Sequence, residues 1–143
     1  MKKLAVALTI FAVSLVGASS AFATEPVAES KASVTAVNSF SQTLAPKGKS
    51  GDYELYEFYV VQQGNVTVDL TQQSTAGANG SYLILRNYGP DQWVSSGNPA
   101  TVFTGNGSFS FTTTNPLQPG HYALKMTNRT NAKATVNGTI TSP

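Results

Sequence analysis

Beyond residue 33, apolar and polar side chains alternate along most of the chain, the period-two pattern of strands buried on one face. The clearest run is Tyr53 to Val61, with Tyr56, Phe58 and Val60 on one side and Glu57 marking the other. After Gly64-Asn65, Val66, Val68 and Leu70 face one way and Thr67 and Asp69 the other, so these two runs read as a hairpin. Ser81 to Arg86 is a near-continuous apolar strand, stopped by the turn-forming Asn87-Tyr88-Gly89-Pro90-Asp91. Trp93-Val94 and Thr101-Val102-Phe103 are shorter candidates. Phe109 and Phe111 alternate with Ser110 and Thr112, and Pro119-Gly120 turns the chain into Tyr122, Leu124 and Met126. Thr135 to Thr141 closes the chain with Val136 and Ile140 inward, and Val34 to Leu44 supplies one or two edge strands. Gly138, inside the last strand, predicts a bulge or a close backbone approach. Gly, Pro and Asn recur too often for a helix of three turns. About eight short strands without helices between them predict an all-β, antiparallel β-sandwich.

The first 23 residues follow a different rule. Lys2 and Lys3 precede a run of 13 apolar residues, Leu4 to Val16, broken by Gly17-Ala18-Ser19-Ser20. As a helix that run covers about 20 Å, short of the roughly 30 Å of a bilayer core. Ala21-Phe22-Ala23 then puts small residues either side of a cut, so 1–23 reads as a signal peptide cleaved after Ala23. Residues 24–32 are polar and proline-bearing, a mobile leader, and 33–143 form a single sandwich domain. With no Cys at the cut, a lipid-modified bacterial anchor is excluded. The expected product is secreted by a bacterium, extracellular, and free of the membrane once cleaved.

Composition narrows the chemistry. The chain has no Cys, which removes disulfides, thiol nucleophiles and thiolate metal sites. After Ala23, 7 basic residues balance 7 acids, and Ser, Thr, Asn and Gly make up 49 of 120 residues. Val, Leu, Ile and Phe number 24 of those 120, near the range of disordered chains, but disorder also requires high net charge and few aromatics. Here the charges cancel while six Tyr, five Phe and one Trp remain, so an ordered domain is expected. An even, sparse charge distribution predicts no basic face for nucleic acid or anionic lipid.

Four segments carry a family resemblance: Gly51-Asp52-Tyr53-Glu54-Leu55-Tyr56-Glu57-Phe58-Tyr59-Val60, Gly64-Asn65-Val66-Thr67-Val68-Asp69-Leu70, Ser81-Tyr82-Leu83-Ile84-Leu85-Arg86 and Leu117-Gln118-Pro119-Gly120-His121-Tyr122-Ala123-Leu124-Lys125-Met126. In order and spacing they resemble the bacterial pre-peptidase C-terminal domain over roughly residues 33–141. The resemblance implies a secreted, jelly-roll-like sandwich that serves as a non-catalytic accessory module, some relatives binding protein fibres, polysaccharide or calcium. Asn79-Gly80-Ser81 stand where the family often has an acid, which removes one ligand from an implied calcium site.

No catalytic constellation is legible. His121 is the only His, is expected to point away from the core into solvent, and has no Gly-x-Ser-x-Gly nucleophile to serve. Glu54 and Glu57 fall on opposite faces of their strand; Asp52 and Glu54 share a face, with Asp69 opposite across the expected hairpin as a solvated set. No cofactor is expected. Calcium, needing six to eight oxygens, would have to assemble Asp52, Asp69 and Asp91 with Asn and backbone oxygens, in a structural role. Five glycosylation sequons, at Asn65, Asn79, Asn106, Asn128 and Asn137, are set aside because the leader looks bacterial. Binding has the better case: sugar rings stack on exposed aromatics while amides and hydroxyls bond their rims. Trp93, with Tyr88 and Gln92 beside it, is the expected ligand site, and the alternative for Trp93 is a core plug. Tyr53, Tyr59 and Glu57 form a second candidate surface on the outward face of a central strand. The expected partner is an extracellular polysaccharide or protein surface. The competing expectation is a small structural protein whose uncharged edge strand, Val34 to Leu44, pairs between copies.

Overall fold

The computed structural model describes residues 35–143, and the signal-peptide and leader expectations for 1–23 and 24–32 lie outside them. All secondary structure among the described residues is β. The strands are β1 (Ala36–Leu44), β2 (Tyr53–Val60), β3 (Thr67–Ser74), β4 (Asn79–Asn87), β5 (Trp93–Ser95), β6 (Thr101–Thr104), β7 (Gly107–Thr112), β8 (Gly120–Asn128) and β9 (Ala134–Ser142). They form two antiparallel sheets, one four-stranded in the order β1-β9-β3-β7, one five-stranded in the order β2-β8-β4-β5 with β6 also on β4.

The pairing is nested. First pairs with last, β1 with β9; β2 pairs with β8; β3 with β7; and β4 with the β5–β6 stretch. β5 lies beside Leu85–Asn87 and β6 beside Asn79–Tyr82, so together they act as one interrupted strand. Counted that way the chain is an eight-stranded antiparallel ribbon wound into two sheets, which is a jelly roll.

This winding corrects two sequence-based expectations. β2 and β3 are not a hairpin: they belong to different sheets, and residues 61–66 carry the chain from one layer to the other. That crossing is held by the backbone pair Gly64 and Leu117 and by a bond from Thr113 N to Val66 O. Asp69 therefore lies on a different sheet from Asp52 and Glu54. β2 is also an edge strand, not a central one. Consecutive strands pair by default, but nested winding sends neighbours in sequence to opposite layers.

Between the layers, Phe58, Tyr82, Ile84, Tyr122, Leu124 and Met126 meet Leu44, Val68, Leu70, Val136 and Ile140, all nearly without exposure. Phe103 of β6 stacks on Phe109 of β7 across the gap, with ring centroids 4.6 Å apart. At Gly138, register with β1 and β3 runs unbroken, so there is no bulge. The reason for glycine is close approach: a Cβ there would stand 2.2 Å from the Asp69 carbonyl oxygen and 2.8 Å from the Phe40 ring.

One polar side chain enters the core. Gln72 is 1% exposed; its Oε1 accepts a 2.6 Å bond from the Tyr82 hydroxyl, and its Nε2 donates to the carbonyls of Phe103 (3.0 Å) and Gly105 (2.8 Å). This ties β3 to the other sheet with every polar atom of the amide satisfied at least once. Burial pushes the Tyr82 phenol far above its ordinary 10. A phenol whose folded pKa is raised contributes stability that is complete below pH about 10 and is lost as pH climbs further. Tyr82→Phe leaves Gln72 Oε1 without its donor and is expected to destabilise by about 1–3 kcal/mol. The variant should also lose less stability than the parent between neutral pH and pH about 11, as read by urea denaturation at each pH.

Candidate functional site

The outer face of the five-stranded sheet is assembled by register. Tyr59 of β2 stands opposite His121 of β8, Arg86 of β4 opposite Tyr122, and Asn87 opposite Trp93 of β5. Tyr59, His121, Asn87 and Trp93 thus form one row across four strands. The rings touch: Tyr59 and His121 stack with centroids 4.5 Å apart and planes 9° from parallel, and Trp93 meets the imidazole edge-on at 5.3 Å. His121 Nε2 lies 2.8 Å from Glu57 Oε2, off the line of a hydrogen bond, as an ion-pair contact for the protonated imidazole. His121 does point outward, but its neighbours leave its side chain only 26% exposed.

Below this row the same face continues with Leu55, Ala123, Leu83 and Leu85. At its far end Tyr53 is half exposed, with Lys125 Nζ 4.6 Å from the ring centroid, and Val102 is exposed beside Ser81. The result is a broad apolar and aromatic face, rimmed by Asn, Ser and Thr, with no further layer among the described residues. Its character differs from the outer face of the other sheet, where Ser39, Ser41, Thr71, Ser110, Asn137 and Thr139 present hydroxyls and amides. A shallow depression of about 440 Å³ lies there, around Asp69, Thr71, Ser108 and Asn137, and the one aromatic residue in its lining, Phe109, stacks its ring inward on Phe103.

Trp93 is half-buried, on the outer face and not among the core residues. A tight β4–β5 hairpin delivers it: Tyr88 N bonds Gln92 O, Gln92 N bonds Gly89 O, and Asn87 Oδ1 accepts from Gly89 N at 2.8 Å. Asp91 at the tip has φ +56°, a left-handed conformation that Asp tolerates better than most residues. Gln92 is exposed at the rim of the hairpin. Tyr88 is separated from Trp93: strand alternation sends it to the opposite side, where the Arg86 guanidinium lies between the rings of Tyr88 (5.2 Å) and Tyr122 (5.7 Å). The residue that touches Trp93 is instead His121, expected as a solvated side chain, and through it comes Tyr59 of the second candidate surface. Sequence spacing could not link them, because β2, β5 and β8 meet only through the winding.

Asp52, Asp69 and Asp91 stand apart, in the β1–β2 loop, on the other sheet and at the β4–β5 tip. Among the described residues, no group of three or more His, Asp or Glu is placed to hold a metal ion.

Because Trp93 is the only Trp, its fluorescence reads this row directly. His121→Ala is expected to shift the emission to longer wavelength as water reaches the indole. The accompanying loss of stability should be about 0.5–1.5 kcal/mol, the scale of an aromatic pair, in a denaturant titration.

No family model matches the sequence, and no curated protein matches it. Among solved structures, the fold is similar to the pre-peptidase C-terminal domain of a Bacillus anthracis collagenase, at 14% identity over 72% of this chain and 87% of that one, with a TM-score of 0.48. It is also similar to the Yersinia pseudotuberculosis-derived mitogen, at 12% identity over 73% and 86% of the two chains, with a TM-score of 0.42.

Proposed function

We propose that this protein is a secreted, non-catalytic binding module whose five-stranded sheet presents an outer face to an extracellular polysaccharide. The observation that carries the reading is the outward-facing Tyr59–His121–Trp93 row, with Tyr59 exposed and the other two half-buried, above an apolar floor. Stacking takes the C–H face of a sugar ring, and Asn87, Gln92 and Glu57 stand within the same rim to bond hydroxyls. A flat protein surface would bury the floor equally well but makes no particular use of stacked rings. On an array of cell-wall and plant polysaccharides, the protein is expected to retain at least one glycan. Trp93→Ala and Tyr59→Ala should each weaken that binding by roughly tenfold, or about 1.4 kcal/mol. Unchanged retention by folded variants refutes the site.

Secretion rests on residues 1–23. Cleavage after Ala23 makes Thr24 the first residue of the exported chain, so N-terminal sequencing of protein from the culture medium should begin Thr-Glu-Pro. Protein beginning at Met1 refutes it.

Pairing between copies is favoured by one observation: β1 has nine residues without a charge, in unbroken register with β9, at the edge of its sheet. Against it, the Tyr56 hydroxyl reaches over from β2 and donates to the Ser39 carbonyl at 2.8 Å, occupying part of that strand. We take Tyr56 as the stopper of this edge. Sedimentation should find the parent monomeric at high concentration and Tyr56→Phe self-associating; a parent that already forms fibres would restore the structural reading.

A further inference from the structure

The overall charge is nearly balanced, yet the fold segregates it. Lys47 and Lys49 lie in the β1–β2 loop and Arg129 and Lys133 in the β8–β9 loop, all four exposed. The two loops are neighbours, joined by a 2.7 Å bond from Lys47 N to Thr130 O. Asn128, 1% exposed, clips both: its Nδ2 donates to the carbonyls of Ala45 and Ala132 at 2.8 Å each, and its Oδ1 accepts from Thr130. Lys125, above Tyr53, adds a fifth cation at the same end. Of the carboxylates nearby, Asp52 accepts a bond from Gly48 N, and Glu54 is exposed at the start of β2. None of the four loop cations has a described carboxylate within ion-pair distance. The remaining described charges are Arg86 against Glu57, Asp69 and Asp91, so the positive charge gathers at one end of the sandwich. The expectation of no basic face fails for this reason: counting charges along a chain averages over ends that the fold separates.

This basic end adjoins the proposed binding face. Tyr53 opens β2 directly after the β1–β2 loop, and Tyr59 lies six residues along the same strand, roughly 20 Å away. Sheet twist, about 20° per strand, curves the face across the strands but much less along them. A linear ligand therefore fits best parallel to β2 and β8, from the Trp93 row to the cationic loops.

The geometry points to an acidic polysaccharide as the ligand, its sugar rings on the Tyr59–His121–Trp93 row and its anionic groups at Lys125, Lys47, Lys49, Arg129 and Lys133. This deepens the polysaccharide reading and rests on it. Hydrogen bonds tie the backbones of the two loops before binding, which limits the main-chain part of the ordering cost. Exposed charges act through long-range attraction that salt weakens.

The test compares polygalacturonate, dextran phosphate and neutral dextran as probes, binding the full protein and a Lys47→Gln, Lys49→Gln, Arg129→Gln, Lys133→Gln variant. The parent should bind at least one of the two acidic polymers at least tenfold tighter than dextran, the two arms separating carboxylate from phosphate recognition. That preference should collapse in the quadruple variant, and on raising salt from about 50 mM to about 500 mM. Trp93→Ala should weaken the acidic polymer as well. Equal binding of acidic and neutral polymers overturns the inference and leaves the polysaccharide reading standing. An acidic preference that survives in the folded quadruple variant overturns it too. Binding of none of the three, with no glycan retained on the array, ends both. Tighter binding to single-stranded DNA or to phosphatidylglycerol vesicles than to either acidic polymer assigns the basic end to a different partner and overturns it.

Discussion

A strand has two faces, and in a two-layer sandwich only one of them can be given to the core. With nothing but strands among the described residues, each sheet must leave its other face to water or to a partner. The two sheets meet that constraint differently. The four-stranded sheet turns hydroxyls and amides outward, and these pair among themselves, Thr67 with Thr112 at 2.9 Å and Thr71 with Ser108 at 2.8 Å. The five-stranded sheet turns Tyr53, Leu55, Tyr59, Leu83, Leu85 and Trp93 outward. Water alone would favour the first composition on both sides. The difference between the faces, more than any single residue, is what singles out one of them for contact with a partner.

The same scarcity of charge that removes ion pairs shapes how the loops are held. Asparagine takes the part that a disulfide plays in many small extracellular domains. Asn106 accepts from the amides of Ser74 and Ala78 and donates back to the Ser74 carbonyl, closing the β3–β4 turn from a distant loop. Asn98 and Asn115 bond each other's loops reciprocally, at 3.2 and 2.8 Å. Asn128 joins the β1–β2 and β8–β9 loops. Each amide offers two donors and an acceptor, enough to satisfy several loop carbonyls that would otherwise be left bare. Asn106 and Asn128 head two of the five sequons, and their side-chain nitrogens are already engaged. A glycan there would have to break the clip.

How much of this was written in the chain follows from the range of each signal. Alternation is local, so every strand was legible, down to the short Trp93–Ser95 and Thr101–Thr104 pieces. The outward direction of His121 follows from the same short-range logic, while the choice at Gly138 between a bulge and a close approach depends on Asp69 and Phe40 from other strands. Partnership is not local. That β2 lies beside β8, and β8 beside β4, depends on pairing between segments far apart in sequence, so the Gly64-Asn65 turn suggested a hairpin that does not form. Sequence alone singles out Trp93 as a candidate, places Tyr59 on a separate surface and reads His121 as solvated, because the three rings come together only through the winding of the chain. Gln72 reads as one polar residue among many in a Thr- and Gln-rich strand. Its burial becomes intelligible only once Tyr82 and the Phe103 carbonyl stand opposite it.

The binding face and the edge are linked through β2. As an edge strand it carries Glu54 and Glu57, charges that discourage a neighbouring copy from extending its sheet. Its outward residues supply Tyr53 and Tyr59 to the platform, while inward Tyr56 packs on Phe40, centroids 5.5 Å apart, and passes its hydroxyl to Ser39 of β1. Burial raises the Tyr56 phenol pKa, so the hydroxyl stays protonated and keeps its donor across the physiological range. One strand thus presents side chains to a ligand, protects its own edge with charge, and covers part of the uncharged edge beside it. A chain that exposes apolar surface on one sheet face, yet carries few charges to keep copies apart, has to manage its strand edges closely. β2 is where both demands fall, so substitutions along it should separate by side chain: Tyr53 and Tyr59 alter the outer face, Tyr56 alters packing, and Glu54 and Glu57 alter association.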